Sequence, residues 1–288
     1  MPSLIDLRRR IKSVKNTRQI TKAMKVVSAA KLRRAQDRVL AGRPYAQIIR
    51  RMLANVAQAA GENPEGDGGA ELLAVRPEKK IQLLVITADR GLAGAFNSNV
   101  IRTAQKFIQD NPDAQVQLEL VGRKGRDFFR KRSKNVTGEY ATLFQKVVRY
   151  EDALDIARKV TERFRKAEID AVYMVLNNFK SLMSSRMVVS KILPVQLPEK
   201  QETIDYIYEQ PPAVLLDSLL PRYIEAQIYR AMLESAAAEH AARMTAMEAA
   251  SNNAADVIDA LTLKMNRVRQ ASITREIIEI VSGAAALD

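Results

Sequence analysis

Along the last quarter of the chain the apolar positions keep a rhythm of threes and fours. Met244, Met247, Ser251, Ala254, Ile258, Leu261, Met265 and Val268 follow it without a miss, the spacing that lines up one side of a coiled-coil strand. No Pro or Gly lies between Arg222 and Gly283, so the backbone chemistry allows one helix from about Asp217 to Leu287. About seventy helical residues reach roughly 100 Å, several times the width of an ordinary domain. That length favours a coiled coil over the alternative, a surface helix packed on an ordinary core. Beyond Val268 the rhythm fails. Ile273, Ile277, Ile278, Ile280 and Val281 spread round the helix, as burial of this end in a partner would require. A frayed helix end is the other reading.

The start of the chain predicts a second long helix, from Ser3 to about Ala59. Ser3 and Asp6 fit a capping box. Leu4, Leu7, Ile11 and Val14 form a three-four seam, which then shifts to Ile20, Met24 and Val27, as a stutter or a partly unpaired strand would. Gly42 and Pro44 mark a kink or local break. Residues 61–78, with four Gly and two Pro, read as a linker.

The pattern then changes. Ile81–Thr87 is a nearly continuous apolar run of strand length, and Gln115–Val121, Ala171–Leu176 and Arg186–Leu193 read as further strands, the last two as neighbours. Helices are expected at Asn97–Gln109, near Asp127–Arg132, and at Glu151–Lys166. Strand alternating with helix predicts a small α/β domain. Pro194, Pro198, Pro211 and Pro212 bracket a second linker holding TIDYIYEQ, a short strand. The expected plan is therefore an N-terminal helix over 1–60, a linker over 61–78, an α/β domain over 79–195, a linker over 196–213 and a C-terminal helix over 214–288. The two helices fold back on each other, antiparallel.

Charge adds a partner to this picture. The formal net charge is +13, and between Arg8 and Arg38 twelve Lys or Arg stand against Asp37. Such an imbalance repels itself unless acidic groups surround it. Nucleic acid is one candidate, but with few aromatics and no Trp the chain is poorly equipped for base stacking. No run of 18 apolar residues predicts a transmembrane helix, and the start lacks the apolar core of a signal peptide. The absence of Cys rules out disulfides and thiol chemistry.

Candidates for chemistry are sparse. DRGLAGAF, between a strand and a helix, sits where a phosphate loop would, yet it has neither the G-x-G-x-x-G spacing nor a Walker lysine. Gly91 and Gly94 read as a tight turn, with nucleotide binding and a nucleotide-dependent enzyme as the alternative. His240 is the only His, so no His-based triad or His-rich metal site can be built. Glu225, Glu234 and Glu239 read as solvated helix surface. The basic cluster Arg123, Lys124, Arg126, Arg130, Lys131, Arg132 and Lys134 is either a solvated edge or a docking site for an acidic surface.

Three blocks carry a resemblance. IKSVKNTRQITKAMKVVSAAKLRRAQ, TADRGLAGAFN and ARMTAMEAASNNA followed by RQASITREIIEIVSGAAAL resemble the ATP synthase gamma subunit family, of bacterial type, in the same order and over nearly the whole chain. Many relatives carry Cys where this chain has Ala93. The resemblance implies an antiparallel coiled coil of the terminal helices with a Rossmann-like α/β foot between them. It implies the central rotor shaft, itself non-catalytic and without cofactor or metal, that couples ion-driven rotation of the c ring to ATP synthesis on the alpha and beta subunits. Carried over by position, coupling contacts to alpha and beta fall on Met24, Arg243, Arg269, Gln270 and Thr274, and foot contacts to the c ring and epsilon on Tyr206 and Glu209. One copy per complex is implied, peripheral on the cytoplasmic face of a bacterial plasma membrane or a thylakoid, touching the membrane only through the c ring.

Overall fold

Helix α1, Leu4–Ala60, opens on the expected capping box: the Asp6 amide donates to Ser3 Oγ at 3.1 Å and the Ser3 amide to Asp6 Oδ2 at 3.3 Å. The computed structural model describes residues 3–60, 69–133, 135–145, 147–179, 185–197 and 208–285. Helix α1 runs through Gly42 and Pro44 without the break expected there. Leu40 and Pro44 are both exposed, so the Leu40 carbonyl that Pro44 cannot serve is open to water. The first linker holds a short helix, α2, Gly69–Leu73. Its Leu72 is fully buried, and the Val195 amide donates to the Leu72 carbonyl at 2.9 Å.

The α/β segment follows in order: β1, Lys80–Ile86; α3, Phe96–Asp110; β2, Gln115–Val121; α4, Arg123–Phe129; β3, Val136–Tyr140; α5, Tyr150–Arg165; β4, Ala171–Phe179; β5, Ser185–Leu193. Helix α6, Pro212–Ala285, completes the chain. The strands form one sheet in the order β3-β2-β1-β4-β5, parallel except that β5 runs antiparallel to β4. The mixed sheet and the two long helices bear out the α/β plan. Strand β3 was not anticipated, and most of TIDYIYEQ lies outside the described residues.

Two compact units result: Ala30–Ala242, and Met1–Ala29 together with Arg243–Asp288. In the first, alternate residues of β1 serve opposite faces, as the period of a strand requires. Ile81, Leu83 and Val85 pack with Val100 and Ala104 of α3 and Phe129 of α4. Leu84 and Ile86 join Ile156, Val160 and Phe164 of α5, and in the same cluster lie Leu53 and Val56 of α1 and Leu216, Leu220, Ile224 and Ile228 of α6. The sheet and the inner lengths of both helices therefore share one core. Under α5 the sheet also buries polar groups: Glu119, with no exposed surface, accepts from Lys159 Nζ at 2.8 Å and from Gln82 Nε2 at 3.1 Å, which compensates its lost hydration.

In the second unit α1 and α6 pair, with Lys25 Nζ 2.5 Å from Glu248 Oε1. Leu7 and Ile11 are buried and belong with α6 residues numbered from 243 upward, so the two strands run antiparallel. All eight seam residues from Met244 to Val268 are buried or half-buried. On α1 the seam differs from expectation. It runs through Leu4, Leu7, Ile11 and Val14, passes over the exposed Arg18 and resumes in the same register at Thr21, Lys25 and Ser28, which are not exposed, while Ile20 and Val27 stand 60 % and 55 % exposed. Small hydroxyl residues can occupy the seam because Thr21 Oγ1 donates to the Arg18 carbonyl at 3.0 Å and Ser28 Oγ to the Met24 carbonyl at 2.7 Å. There is no stutter.

Candidate functional site

The loop after β1 lies at the carboxyl end of the sheet beside its topological switch point, since the chain leaves β1 for β2 and β3 and later crosses to β4. Open α/β sheets bind ligands there. In this chain the place is filled from within. The carboxylate of Asp89, 5 % exposed, accepts three backbone amides: Arg123 at 2.8 Å, Thr142 at 3.0 Å and Phe144 at 2.8 Å. Asn97 accepts from the Ala88 amide at 2.9 Å. Ala88, Ala93 and Phe96 pack against Ala238 of α6. Amides that would cradle a phosphate thus serve an internal carboxylate, and the helix occupies the crevice. Leu92 and Gly94 both have positive φ, 64° and 54°, which bears out the tight-turn reading. The loop is a pad on which α6 rests, and Ala93 is small enough to let the helix approach.

Asp89 and Ala238 were not singled out in the sequence. Asp89 lies within DRGLAGAF, but nothing local signals that its partners are amides 34 to 55 residues away. The carboxylates of α6 also differ from expectation. Glu234 is 6 % exposed and accepts from Arg230 at 2.7 Å; Glu239, equally buried, lies 2.8 Å from His240 Nδ1; and Glu225 accepts the Tyr150 hydroxyl at 2.7 Å. Burial, followed by that hydrogen bond and the Glu225 charge, pushes the Tyr150 phenol above its usual range. These acids are structural partners inside the first unit. Among the described residues no cluster of three or more His, Asp or Glu is set to hold a metal ion, and no helix is long and apolar enough to cross a membrane.

The residues carried over as coupling contacts all fall in the second unit. Arg269, Gln270 and Thr274 are exposed and lie within about two turns of α6, with Thr274 Oγ1 donating to the Gln270 carbonyl at 3.0 Å. Met24 and Arg243 are half-buried. Twenty-six residues of helix, roughly 39 Å, separate Arg243 from Arg269, so the set forms two groups. Beside Arg269, Ile273, Ile277, Ile278, Ile280 and Val281 are 48 to 71 % exposed. On α1, Arg8, Arg9, Arg10, Lys12, Lys15, Arg18 and Lys22 are exposed as well. A surface this apolar at one place and this basic at another asks for an outside partner.

In the first unit Glu209 is exposed and lines a groove of about 440 Å³ with Met52, Val56, Tyr208 and Leu219. Tyr206 and Lys134 lie outside the described residues. The rest of the basic cluster is largely exposed but partly engaged: Arg126 meets Asp127 at 2.9 Å, Arg130 is 4.0 Å from Glu139, and Arg132 stacks over the Phe128 ring at 4.2 Å.

Comparison with known proteins is consistent along the full length. A family model described as ATP synthase matches residues 3–287. The ATP synthase gamma chain of Solibacter usitatus is 60 % identical over 288 residues, covering all of both chains, and that of Pelotomaculum thermopropionicum 51 % identical over 293, again covering all of both. Among solved structures, a chain of the Tetrahymena thermophila mitochondrial ATP synthase central stalk and c-ring is 27 % identical with a TM-score of 0.61, covering 81 % of this chain and 99 % of that one. A chain of the Euglena gracilis mitochondrial enzyme, 20 % identical with a TM-score of 0.70, covers 99 % and 94 % and shares the fold.

Proposed function

The chain belongs to the ATP synthase gamma chain family, and from that premise we propose that it is the central rotor shaft of the rotary synthase, non-catalytic itself. The observation that carries this reading is the far end of α6, where five large apolar side chains stand about half exposed or more. An exposed apolar rod end is a liability in water, and enclosure by a ring of alpha and beta subunits removes it. The exposed basic face of α1 supports the same surroundings, since charge of one sign is stabilised by acidic partners.

On this reading residues 1–60 and 214–288 supply the shaft helices, 79–195 the foot, and 61–78 and 196–213 the links. The shaft works by differential contact. Each catalytic site is biased toward one conformation only by as much as its contact energy with the shaft differs between states, so an asymmetric rod imposes different states on otherwise equal sites. Arg269, Gln270 and Thr274, exposed beside the apolar end, are the groups through which that bias is applied, with Met24 and Arg243 forming a second contact. The seating of α6 on the pad of Ala88, Ala93 and Phe96 fixes the helix to the sheet, which a part that transmits torque needs.

Tyr206 and Glu209 are assigned to the c ring and epsilon, and the apolar groove beside Glu209 supports a docked partner there. One copy serves each complex. The chain is peripheral, on the cytoplasmic face of a bacterial plasma membrane or a thylakoid, and reaches the membrane through the c ring. The decisive experiment reconstitutes Arg269→Ala and Gln270→Ala chains with alpha and beta subunits. Each should assemble normally yet turn over about tenfold more slowly, the equivalent of one charge-assisted hydrogen bond. Wild-type turnover in both would remove these residues from the coupling set, and failure of the chain to copurify with alpha and beta would remove the function.

A further inference from the structure

One cavity of the first unit belongs to none of the surfaces described above. It measures about 320 Å³ and is walled by Val39, Tyr45 and Ala46 of α1, Tyr150 of α5, and Tyr229 and Leu233 of α6, with Gly42 open to it. Gly42 is exposed and borders it, and a Cβ placed there would meet nothing within 4 Å. The helix is regular at that point, so no backbone requirement calls for glycine.

Two polar groups of the wall are already engaged. Tyr150 donates to Glu225 at 2.7 Å, and Arg230, which also lines the cavity, donates to Glu234 at 2.7 Å. What remains toward the cavity is aliphatic and aromatic, together with the Tyr45 and Tyr229 phenols. The Tyr150 and Tyr229 rings meet edge to face, 5.5 Å between centroids and 82° apart, which leaves ring surface able to stack or meet edges with a further ring. A mostly apolar cavity of roughly 300 Å³ or more, with a few polar groups, is the usual form of a small-molecule site.

We infer that this cavity is a binding site for a small, flat, neutral aromatic molecule of one or two rings, lodged between α1 and α6 against Tyr150 and Tyr229. The site is independent of the rotor reading, because it lies within one unit and uses none of the coupling or foot residues.

The test uses the full chain with 2-naphthol as probe, followed by the probe's fluorescence. Wild type should bind it saturably, one per chain, with Kd below about 1 mM. Gly42→Ala, which keeps most of the space, should bind within about twofold of wild type. Gly42→Phe places the chain's own ring in the cavity, so binding should weaken by at least about tenfold while helical circular dichroism is retained and Tm is not lowered. Should Gly42→Phe lose its helical signal, Ala46→Met fills the same wall and carries the same expectation. Absence of saturable binding in wild type, or equal binding by wild type and a folded cavity-filling variant, overturns the assignment.

Discussion

Helix α6 meets two environments along its length. Leu216, Leu220, Ile224, Ile228, Met232 and Leu233 are 0 to 4 % exposed, whereas Ile273, Ile277, Ile278, Ile280 and Val281 are 48 to 71 % exposed. Residue type does not separate the stretches, for both carry large aliphatic side chains. Surroundings do. The first stretch is enclosed by the sheet, α5 and α1 within one core cluster, and in the second no such cover is found among the described residues. Apolar residues in the first stretch therefore stabilise this chain, and those in the second can stabilise only an assembly.

The same substitution in each stretch gives the largest effect. Ile224→Ala should lower the unfolding free energy of the isolated chain by about 3 kcal/mol, the usual cost of emptying a buried Ile site. Ile277→Ala should leave it within about 0.5 kcal/mol, as exposed positions do. Urea denaturation of the purified chain checks both. A comparable loss at Ile277 would mean that the far end is packed within the chain, and the contrast would collapse.

A second contrast concerns polar groups. In the first unit Glu78 accepts from Lys191 at 2.6 Å and from the Tyr173 hydroxyl at 2.9 Å. Burial, then the hydrogen bond to Glu78 and its charge, push the Tyr173 phenol up from 10.0 to about 12. A group whose folded pKa is raised stabilises fully below its unfolded pKa and loses that contribution as pH rises through the folded value. Tyr173 should thus contribute below pH 10 and lose its contribution between 10 and about 12. Tyr173→Phe should show a shallower fall in stability over that window, followed by denaturation at several pH values. An identical fall in both chains would place Tyr173 in free solvent.

These contrasts bear on what a sequence discloses. The rods, the distal seam, the capping box and four strands were legible because each is written in local periodicity or cap chemistry. Strand β3 was not. VTGEY is short, carries a Gly, and is half-buried only at alternate positions; its pairing depends on β2, whose Glu119 would lie 1.9 Å from any Cβ at Gly138. The α1 seam was misread for a related reason. Thr21 and Ser28 look like surface residues until their hydroxyls are seen bonded to their own helix, and Ile20 and Val27 look like core yet stand exposed. Of the candidate site, Arg269, Gln270 and Thr274 came from resemblance alone, while the apolar end beside them was readable from its broken rhythm. Asp89 and Ala238 were hidden because their roles depend on contacts distant in sequence.

The smallest effect belongs to the ion pair of the second unit. Lys25 and Glu248 approach to 2.5 Å, as close as Lys191 and Glu78, but their side chains are 38 % and 49 % exposed against 21 % and 32 %. Water and salt screen such a pair, and holding two long side chains in one geometry costs entropy, so exposed pairs contribute about 0.2–1 kcal/mol. A double-mutant cycle with Lys25→Ala and Glu248→Ala should therefore give a coupling below about 0.5 kcal/mol, falling further at high salt. The cycle at Lys191 and Glu78 should exceed it, because the partly buried pair is less screened and Glu78 also holds Tyr173. Equal couplings would mean that exposure does not distinguish the two regions. A larger coupling at Lys25 would mean that the paired helices rest on this bridge rather than on their thin seam, in which Leu7, Ile11, Met247, Ala254 and Ile258 are buried.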